Sequence, residues 1–323
     1  MGGRSAGGPG SEGVAWPGEL ARNATVRARI PWFSESHAGR PGDLYTVASH
    51  GQWHEDEIAW DSARPLSEMA VEMTAAEVSA EQRSPLAGRG AWRAYREARH
   101  AWSVSQLVYG EQGALVVTGR LVEVLPDMAG KCLAAVQVAD EARHVRVMQR
   151  YAEVTQQFFT PSREIESLLG SMLEAPSWDY LLLGMQIVLE GLALSIFRSA
   201  TAFFYDPLLT DICARVARDE ARHYSFGIVS LSDHLASLTS VERHDRQDYV
   251  AEAVRLMAER FRFDAVWEQL GIPLAQGRRY AATEPELVLL RRVVFRPVIT
   301  ALRRINMWDG MEDVFYGLDL LAR

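Results

Sequence analysis

The chain has 323 residues, of which 48% are hydrophobic, and 34 Lys and Arg against 42 Asp and Glu give it a formal net charge of −8. This acidic balance argues against nonspecific nucleic-acid binding. Because no stretch of 18 or more apolar residues lacks a charge, no membrane span is expected. Two cysteines without metal-like spacing fit a reducing cytoplasm, which is the predicted location.

The N-terminal region is predicted to carry little regular structure. Residues 1–25 are expected to be a disordered tail, since the first 13 are rich in glycine and lack an apolar run of signal-peptide length. From Val26 to Asp61, aromatic residues mixed with Pro and Gly indicate an extended arm laid over the rest of the protein. No long linker interrupts residues 60–323, so residues 26–323 are predicted to form one domain.

The rest of the chain predicts helices almost throughout. Core helices are expected at about 91–125, 131–159, 178–205 and 207–236, with a short connector near 163–174. Further helices are expected near 66–81, 242–270, 284–307 and 310–321. The core bundle would then occupy 91–237 and the C-terminal helices 242–323. The connector would allow two helical hairpins to pack as a four-helix bundle with a crossover.

The pentapeptide Asp-Glu-Ala-Arg-His occurs twice, at residues 140–144 and 219–223. Residues three apart lie on one helix face, so Glu141 pairs with His144, and Glu220 with His223. A single Glu-x-x-His is common by chance, and a lone His on an apolar face is more often a core residue. Two identical copies in apolar helical segments instead favour half of a dinuclear metal site.

Two upstream carboxylates supply the other half. Glu111 precedes Glu141 by 30 residues, and Glu190 precedes Glu220 by the same distance. Turn signals at Pro126-Asp127 and Asp206-Pro207 fall midway, so arms of roughly 20–24 Å return each pair of Glu residues to one level. Both upstream carboxylates lie in apolar runs where an unpaired charge would be costly. These six residues are therefore predicted to bind two metal ions, and their donor set favours iron or manganese over zinc.

This pattern resembles the ferritin-like, ribonucleotide-reductase-like di-iron carboxylate superfamily over roughly residues 91–237. The Asp-Glu-x-Arg-His string looks most like its oxygen-activating members: multicomponent monooxygenases, acyl-carrier-protein desaturases and p-aminobenzoate N-oxygenase-like enzymes. The resemblance implies an all-α, ferritin-like four-helix bundle with flanking helices, a cofactor of two Fe ions or a Mn/Fe pair, and dioxygen as co-substrate. It also implies that Asp140 and Asp219 support the ligand histidines from behind, which fits the physics of a carboxylate on the far ring nitrogen. The alternative is a surface pairing with Arg143 or Arg222.

Three positions depart from particular subfamilies. Met148 stands where small-subunit ribonucleotide reductases place a radical Tyr, Val216 where p-aminobenzoate N-oxygenase has a third His, and Leu194 where multicomponent hydroxylases carry a Thr. No subfamily is therefore matched cleanly. The residues before and after the bundle exceed what a ferritin subunit needs, and they are expected to roof a pocket or to build a homodimer interface.

Two functional hypotheses arise from this pattern. The first is a non-haem di-iron monooxygenase or oxidase that hydroxylates, N-oxygenates or desaturates a small or carrier-bound organic substrate. Its four Glu ligands would be catalytic, and a separate reductase or ferredoxin would supply electrons, since the chain lacks dinucleotide fingerprints. Residues on the inward faces would line its pocket: Leu107, Ala114, Leu115, Thr118, Met148, Ala193, Leu194 and Phe197. The second is a metal protein for storage, ligand binding or sensing without substrate turnover. A cavity reaching the metals favours the first, and a sealed site favours the second.

Overall fold

Every regular element in the described part of the chain is helical, which confirms the predicted all-α class. The computed structural model describes residues 20–22, 28–32, 35–36, 39–65, 68, 73–155, 158–204 and 206–322. The predicted disordered tail falls outside these residues, apart from 20–22.

Two antiparallel helical hairpins form the centre of the molecule. The first joins α3 (Trp92–Val124) to α4 (Met128–Thr155), and the second leads into α9 (Pro207–Ala236). Both turns lie where the sequence predicts them. Asp127 accepts a hydrogen bond from the Gly130 amide (2.7 Å), and Asp206 caps α9 by accepting one from the Leu208 amide (2.9 Å). Such side-chain caps satisfy amides that the first turn of a helix leaves free.

The third core helix is not the single helix predicted at 178–205. It consists of α6 (Trp178–Leu182), a π-helical segment (Leu183–Leu189), α7 (Glu190–Arg198) and α8 (Ala200–Phe203). A π-helical turn adds residues to the helix circumference and shifts the register of the residues after it, and such turns are frequent at functional sites. Glu190 comes directly after this segment. Helix α9 packs closely here, since a Cβ on Gly227 would lie 2.4 Å from the Cβ of Gln186.

The stretch Trp178–Arg198 is long and apolar enough to cross a membrane, with a mean hydropathy of 1.8. However, 83% of its most apolar window is buried inside the protein, where α7 packs against α9 and α13. A buried core helix of a soluble protein meets the same criterion.

The N-terminal arm differs from its prediction. Residues Gly39–His50 form helix α1, which packs on α4 and α9, so the expectation of an extended arm was wrong over this stretch. The physical reason is the spacing of Leu44 and Ala48, which lie one turn apart and face the core. Short 3₁₀ turns come next, at Glu55–Glu57 and Trp60–Ser62.

The remaining helices flank the bundle, and most lie near their predicted places. The first part of the helix predicted near 66–81 lies mostly outside the described residues, and the described helix begins at Ala75. The predicted 242–270 helix ends early, at Arg260, because Phe263 adopts a left-handed conformation (φ 57°) that starts a new helix. Helix α12 was not predicted. The flanking helices are α2 (Ala75–Arg83), α5 (Arg163–Leu173), α10 (Ser240–Arg260), α11 (Asp264–Gln269), α12 (Leu274–Thr283), α13 (Pro285–Arg304) and α14 (Glu312–Gly317).

Candidate metal centre

The six side chains predicted as ligands meet at the centre of the bundle. They form two overlapping groups whose potential ligand atoms lie within 4.8 Å of one another: Glu111, Glu141, His144 and Glu220, and then Glu141, Glu190 and His223. None of the six is more than 4% exposed. Helix α3 supplies one carboxylate, α7 supplies another, and α4 and α9 each supply a Glu-x-x-His pair.

The two repeat glutamates contact both histidines, whereas the upstream glutamates contact one each. Glu141 places one oxygen 3.4 Å from Nδ1 of His144 and the other 3.1 Å from Nδ1 of His223. Glu220 likewise places one oxygen 3.2 Å from Nδ1 of His144 and the other 3.3 Å from Nδ1 of His223. Glu111 lies 3.3 Å from His144 only, and Glu190 lies 3.8 Å from His223 only. Two positions therefore exist, each between one histidine and three carboxylates.

Several ligand atoms in these positions have no hydrogen-bond partner, whereas Nδ1 of His223 contacts Glu220 at 3.3 Å. Three ligand atoms are buried without a hydrogen-bond partner: Oε2 of Glu141, Oε1 of Glu220 and Nδ1 of His144. Both of these oxygens nevertheless lie within 3.4 Å of that nitrogen. Buried polar atoms are rarely left without a partner, because the loss of hydration is not repaid. A pair of hard divalent cations would satisfy these atoms, and carboxylate oxygens with a few imidazoles are the donors that such cations take. The cluster is thus suited to a dinuclear metal site.

Each aspartate that opens a repeat bonds to the histidine of the other repeat. Asp219 on α9 lies 3.0 Å from Nε2 of His144, and Asp140 on α4 lies 3.2 Å from Nε2 of His223. Both histidines therefore turn Nδ1 toward the cluster. A contact of this kind orients an imidazole. The sequence predicted a contact between aspartate and histidine, but the crossing between repeats was not foreseen.

The same aspartates anchor two arginines and the N-terminal arm. Arg143 donates to Asp140 (2.6 Å) and Asp219 (2.9 Å), and Arg222 also pairs with both. Gln52 donates to Asp140 and Trp53 donates through its indole to Asp219, each at 2.8 Å. Both aspartates are at most 1% exposed, so the arginine pairing considered from the sequence is present, but it is buried at the aspartates and occurs together with the contacts to the histidines.

Two buried amides in the site were missed by the sequence reasoning. Gln137 donates to Glu141 (2.9 Å) and Glu190 (3.0 Å), and it exchanges hydrogen bonds with Gln186 of the π-helical segment. Each amide lies one turn before a ligand glutamate. A polar residue at that spacing in an apolar helix was the signal that could have revealed them.

Without metal, protons balance the charge of the cluster. Burial raises the pKa of Glu111 to about 8, with the nearby carboxylates adding to the effect and His144 opposing it. Burial also raises the pKa of Glu190 well above its ordinary value. Burial alone would lower the pKa of both histidines, but the surrounding carboxylates raise it well above the usual value. The same histidines outweigh burial at Glu141 and lower its pKa. Metal binding must displace these protons.

A cavity opens from the surface to the upstream glutamates of the cluster. It contains about 960 Å³ of space between atoms, part of it open to solvent, and Glu111 and Glu190 form part of its wall. Of the pocket residues predicted from the sequence, Leu107, Ala114 and Ala193 line it. The others do not. Met148 and Phe197 are packed in the core beside α4 and α9, Leu194 and Thr118 are buried elsewhere, and Leu115 is half-buried.

Solved structures share this architecture. No protein-family model matches the chain, and no curated protein matches it at a significant level. An R2-like ligand-binding oxidase mutant with aerobically reconstituted Mn/Fe cofactor is 17% identical, with a TM-score of 0.52 over 86% of this chain and 96% of that one. The fold is ferritin-like. An R2-like ligand-binding oxidase with aerobically reconstituted Mn/Fe cofactor after a long soak is 17% identical, with a TM-score of 0.51 over 86% of this chain and 95% of that one. A mutant with anaerobically reconstituted Mn/Fe cofactor is 16% identical, with a TM-score of 0.52 over the same shares of the two chains. At this identity the likeness establishes the fold alone, as the ferritin-like, ribonucleotide-reductase-like resemblance predicted.

Proposed function

We propose that this chain is a dinuclear-metal oxidase that consumes dioxygen and oxidises an organic molecule bound beside the metals. The observation that carries the proposal is the cavity wall formed by Glu111 and Glu190. A site reached by a largely apolar cavity suits a substrate, whereas a storage site needs only a path for ions.

The proposed cofactor is two iron ions or a manganese and iron pair, held by the four glutamates and two histidines. The structural neighbours described above carry Mn/Fe, and the donor set is compatible with both metals. When bound, such a pair would supply electrons to dioxygen. An external electron donor would restore the reduced metals for another turnover.

The chain's own residues orient the ligands and exclude water. Asp140 and Asp219 hold the two imidazoles with Nδ1 inward. Gln137 donates to two ligand carboxylates and so fixes which of their oxygens remain free. Leu107, Ala114 and Ala193 form an apolar wall next to the carboxylates, which limits water near the reacting atoms.

Several finer assignments belong to the same proposal. We infer that the reaction is an oxygenation or desaturation, and that Glu111, Glu141, Glu190 and Glu220 are the catalytic ligands. The working form would be a cytoplasmic homodimer that receives electrons from a reductase or ferredoxin. Neither nucleic acid nor a membrane is expected as a partner.

A second candidate is a ligand-binding oxidase that reacts once and then retains its ligand. It is favoured by the structural neighbours, which are R2-like ligand-binding oxidases. The two candidates differ in turnover: an enzyme consumes dioxygen repeatedly when reductant and substrate are present, whereas the second candidate stops after one oxidation of its metals.

The test measures dioxygen uptake by protein loaded without oxygen with ferrous iron, or with manganese and iron, in the presence of a chemical reductant. Repeated uptake coupled to an oxidised organic product supports the enzyme, and one burst without product supports the second candidate. Glu141→Ala should abolish uptake, and the matched control is Glu252→Ala, an exposed glutamate of α10. Equal uptake in Glu141→Ala and wild type would refute both candidates.

A further inference from the structure

The wall of the cavity beside the cluster carries charged groups of both signs. The carboxylates Glu111 and Glu190 form one part of it, and the guanidinium groups of Arg99 and Arg260 form another. The rest of the lining is largely apolar. A molecule that fills this space would meet both the negative metal ligands and the positive charge.

Arg260 has no carboxylate partner among the residues that the structure describes. Its Nε atom is buried without a hydrogen-bond partner, and its NH1 contacts only the sulfur of Met257, at 3.5 Å. Burial lowers the pKa of this guanidinium to about 10, with Glu164 opposing the shift, so the group is still cationic at neutral pH. Glu164 forms no ion pair within 4 Å of it. The side chain is half-buried, with its Nε atom shielded from water, so the fold holds here a cation without a carboxylate beside it. A partly desolvated cation of this kind gains from an anionic partner.

The next arginine along the chain, Arg262, differs from Arg260 in its exposure and in its pairing. Arg262, two residues further on, is exposed and pairs with Glu259. It does not line the cavity. The lack of a partner is therefore a feature of the cavity position and not of this part of the chain.

Aromatic rings line the wall near Arg260. Phe263 meets Trp102 edge-to-face at 5.1 Å and Phe261 at 6.3 Å, and all three rings border the cavity. Phe263 holds its ring there from a left-handed backbone (φ 57°), a conformation that costs free energy in a bulky residue. Such rings offer edge-to-face contacts to another aromatic group.

Helix α3 runs along the cavity wall and gives a scale for its length. Residues at three- and four-residue spacing along one face of the helix line the cavity, from Arg99 through Gln106 to Glu111. At 1.5 Å rise per residue, Glu111 is roughly 8 Å along the axis from Gln106 and roughly 18 Å from Arg99. The Gln106 amide is already bonded to the backbone of Thr160 and Ser162. The positive charge of this wall comes from the guanidinium groups of Arg99 and Arg260.

We propose that Arg260 binds the acid group of an aryl-bearing organic carboxylate whose apolar body lies along α3 and brings its oxidised carbon next to Glu111 and Glu190. A guanidinium pairs with a carboxylate through two parallel hydrogen bonds, which gives the ligand one orientation. The inference rests on the proposed function, because it names the class of substrate for the same site. Binding can nevertheless be tested without turnover.

The experiment measures binding of phenylpentanoate and of its uncharged analogue phenylpentanol by titration calorimetry. It uses full-length protein, both as purified and loaded anaerobically with ferrous iron. In wild type, the acid should bind more tightly than the alcohol. Arg260→Gln should weaken acid binding by about 10–100-fold, as expected for a lost charge-assisted hydrogen-bond pair, and leave alcohol binding unchanged. Arg262→Gln is the matched control and should behave like wild type, while Arg260→Lys should recover part of the loss.

Two results would overturn the proposal. One is equal affinity of wild type for the acid and the alcohol, which needs no variant and so does not depend on whether Arg260→Gln folds. The other is acid binding that requires the metal and is unchanged in folded Arg260→Gln, because the carboxylate would then bind the metals directly. If the acid binds through Arg260 but dioxygen is never consumed, the anion site stands and the proposed oxidase function fails.

Discussion

The two hairpins of the bundle contribute the same types of ligand, but the helices that carry these ligands differ in structure. The first hairpin presents Glu111 from α3, an unbroken helix of 33 residues, whereas the second presents Glu190 just after a π-helical segment. The two buried amides, Gln137 from the first hairpin and Gln186 from the second, both lie near the His223 position. Gln137 contacts Glu141 and Glu190, but the residue at the equivalent place in the second repeat is Val216, which is buried in apolar surroundings.

This difference shows that the repeated sequence supplies donors, whereas the residues around it make the two positions unequal. The position next to His144 has Trp53 stacked at 6.4 Å behind its histidine. The position next to His223 has two amides on its carboxylate side. Two metal positions with different surroundings can differ in affinity and in preferred metal.

The largest expected effect is on the amount of bound metal, which should differ between variants of the repeat glutamates and variants of the upstream glutamates. Because Glu141 and Glu220 each contact both histidines, Glu141→Ala should reduce bound metal from about two ions per chain to almost none. Glu190→Ala, which removes a contact to His223 alone, should retain about one. Metal analysis after dialysis checks both, and circular dichroism checks that helicity is kept. Equal metal loss in the two variants would contradict the division into shared and single contacts.

A smaller effect is expected from the aspartates behind the histidines. Asp219→Asn should lower metal affinity by roughly 10–100-fold, because an amide holds the His144 ring less firmly than a carboxylate does. The loss should concern the His144 position first. Competition with a chelator measures this affinity, and exposed Asp248→Asn serves as control. Unchanged affinity would mean that Asp219 serves only to pair Arg143 and Arg222.

Gln137→Leu tests the asymmetry of the two halves directly. The change keeps a similar volume but removes the donor shared by Glu141 and Glu190. We expect weaker metal binding at the His223 position by several-fold and little change at the His144 position, since loss of one hydrogen bond to a charged group has that magnitude. Stepwise metal titration should resolve the two positions. Equal weakening at both would show that the halves are coupled and not independent.

The sequence predicted those features that depend on helical periodicity. The repeated pentapeptide and the equal spacing of Glu111 and Glu190 were enough to predict six converging side chains, because helix geometry converts spacing into position. Whether these residues bind metal stays a prediction. Features set by packing between helices were missed: the crossing of Asp140 and Asp219 to opposite histidines, the π-helical segment before Glu190, and the helix at Gly39–His50. Such features depend on neighbours distant in the sequence, which a pattern within one helix does not encode.

The smallest expected effect concerns pH. In the metal-free protein the pKa of Glu111 is raised to about 8 and the pKa values of His144 and His223 are raised above the usual value. A group with a raised folded-state pKa stabilises the fold below its unfolded pKa, and this contribution is lost as pH rises through the folded pKa. The Tm of metal-free protein should therefore fall between about pH 6 and pH 9. The lowered pKa values of Glu141 and Glu220 act only at more acidic pH.

Metal loading should remove this dependence, because bound cations keep the ligands deprotonated throughout that range. Glu111→Gln offers a second check, since the amide imitates the neutral carboxyl and cannot lose a proton. Its metal-free Tm should fall less with rising pH than that of wild type, whereas exposed Glu252→Gln should match wild type. Thermal unfolding monitored by circular dichroism measures all four samples. A Tm that rises with pH in the metal-free protein would contradict proton compensation of the cluster, because the native state would then bind fewer protons than the unfolded chain.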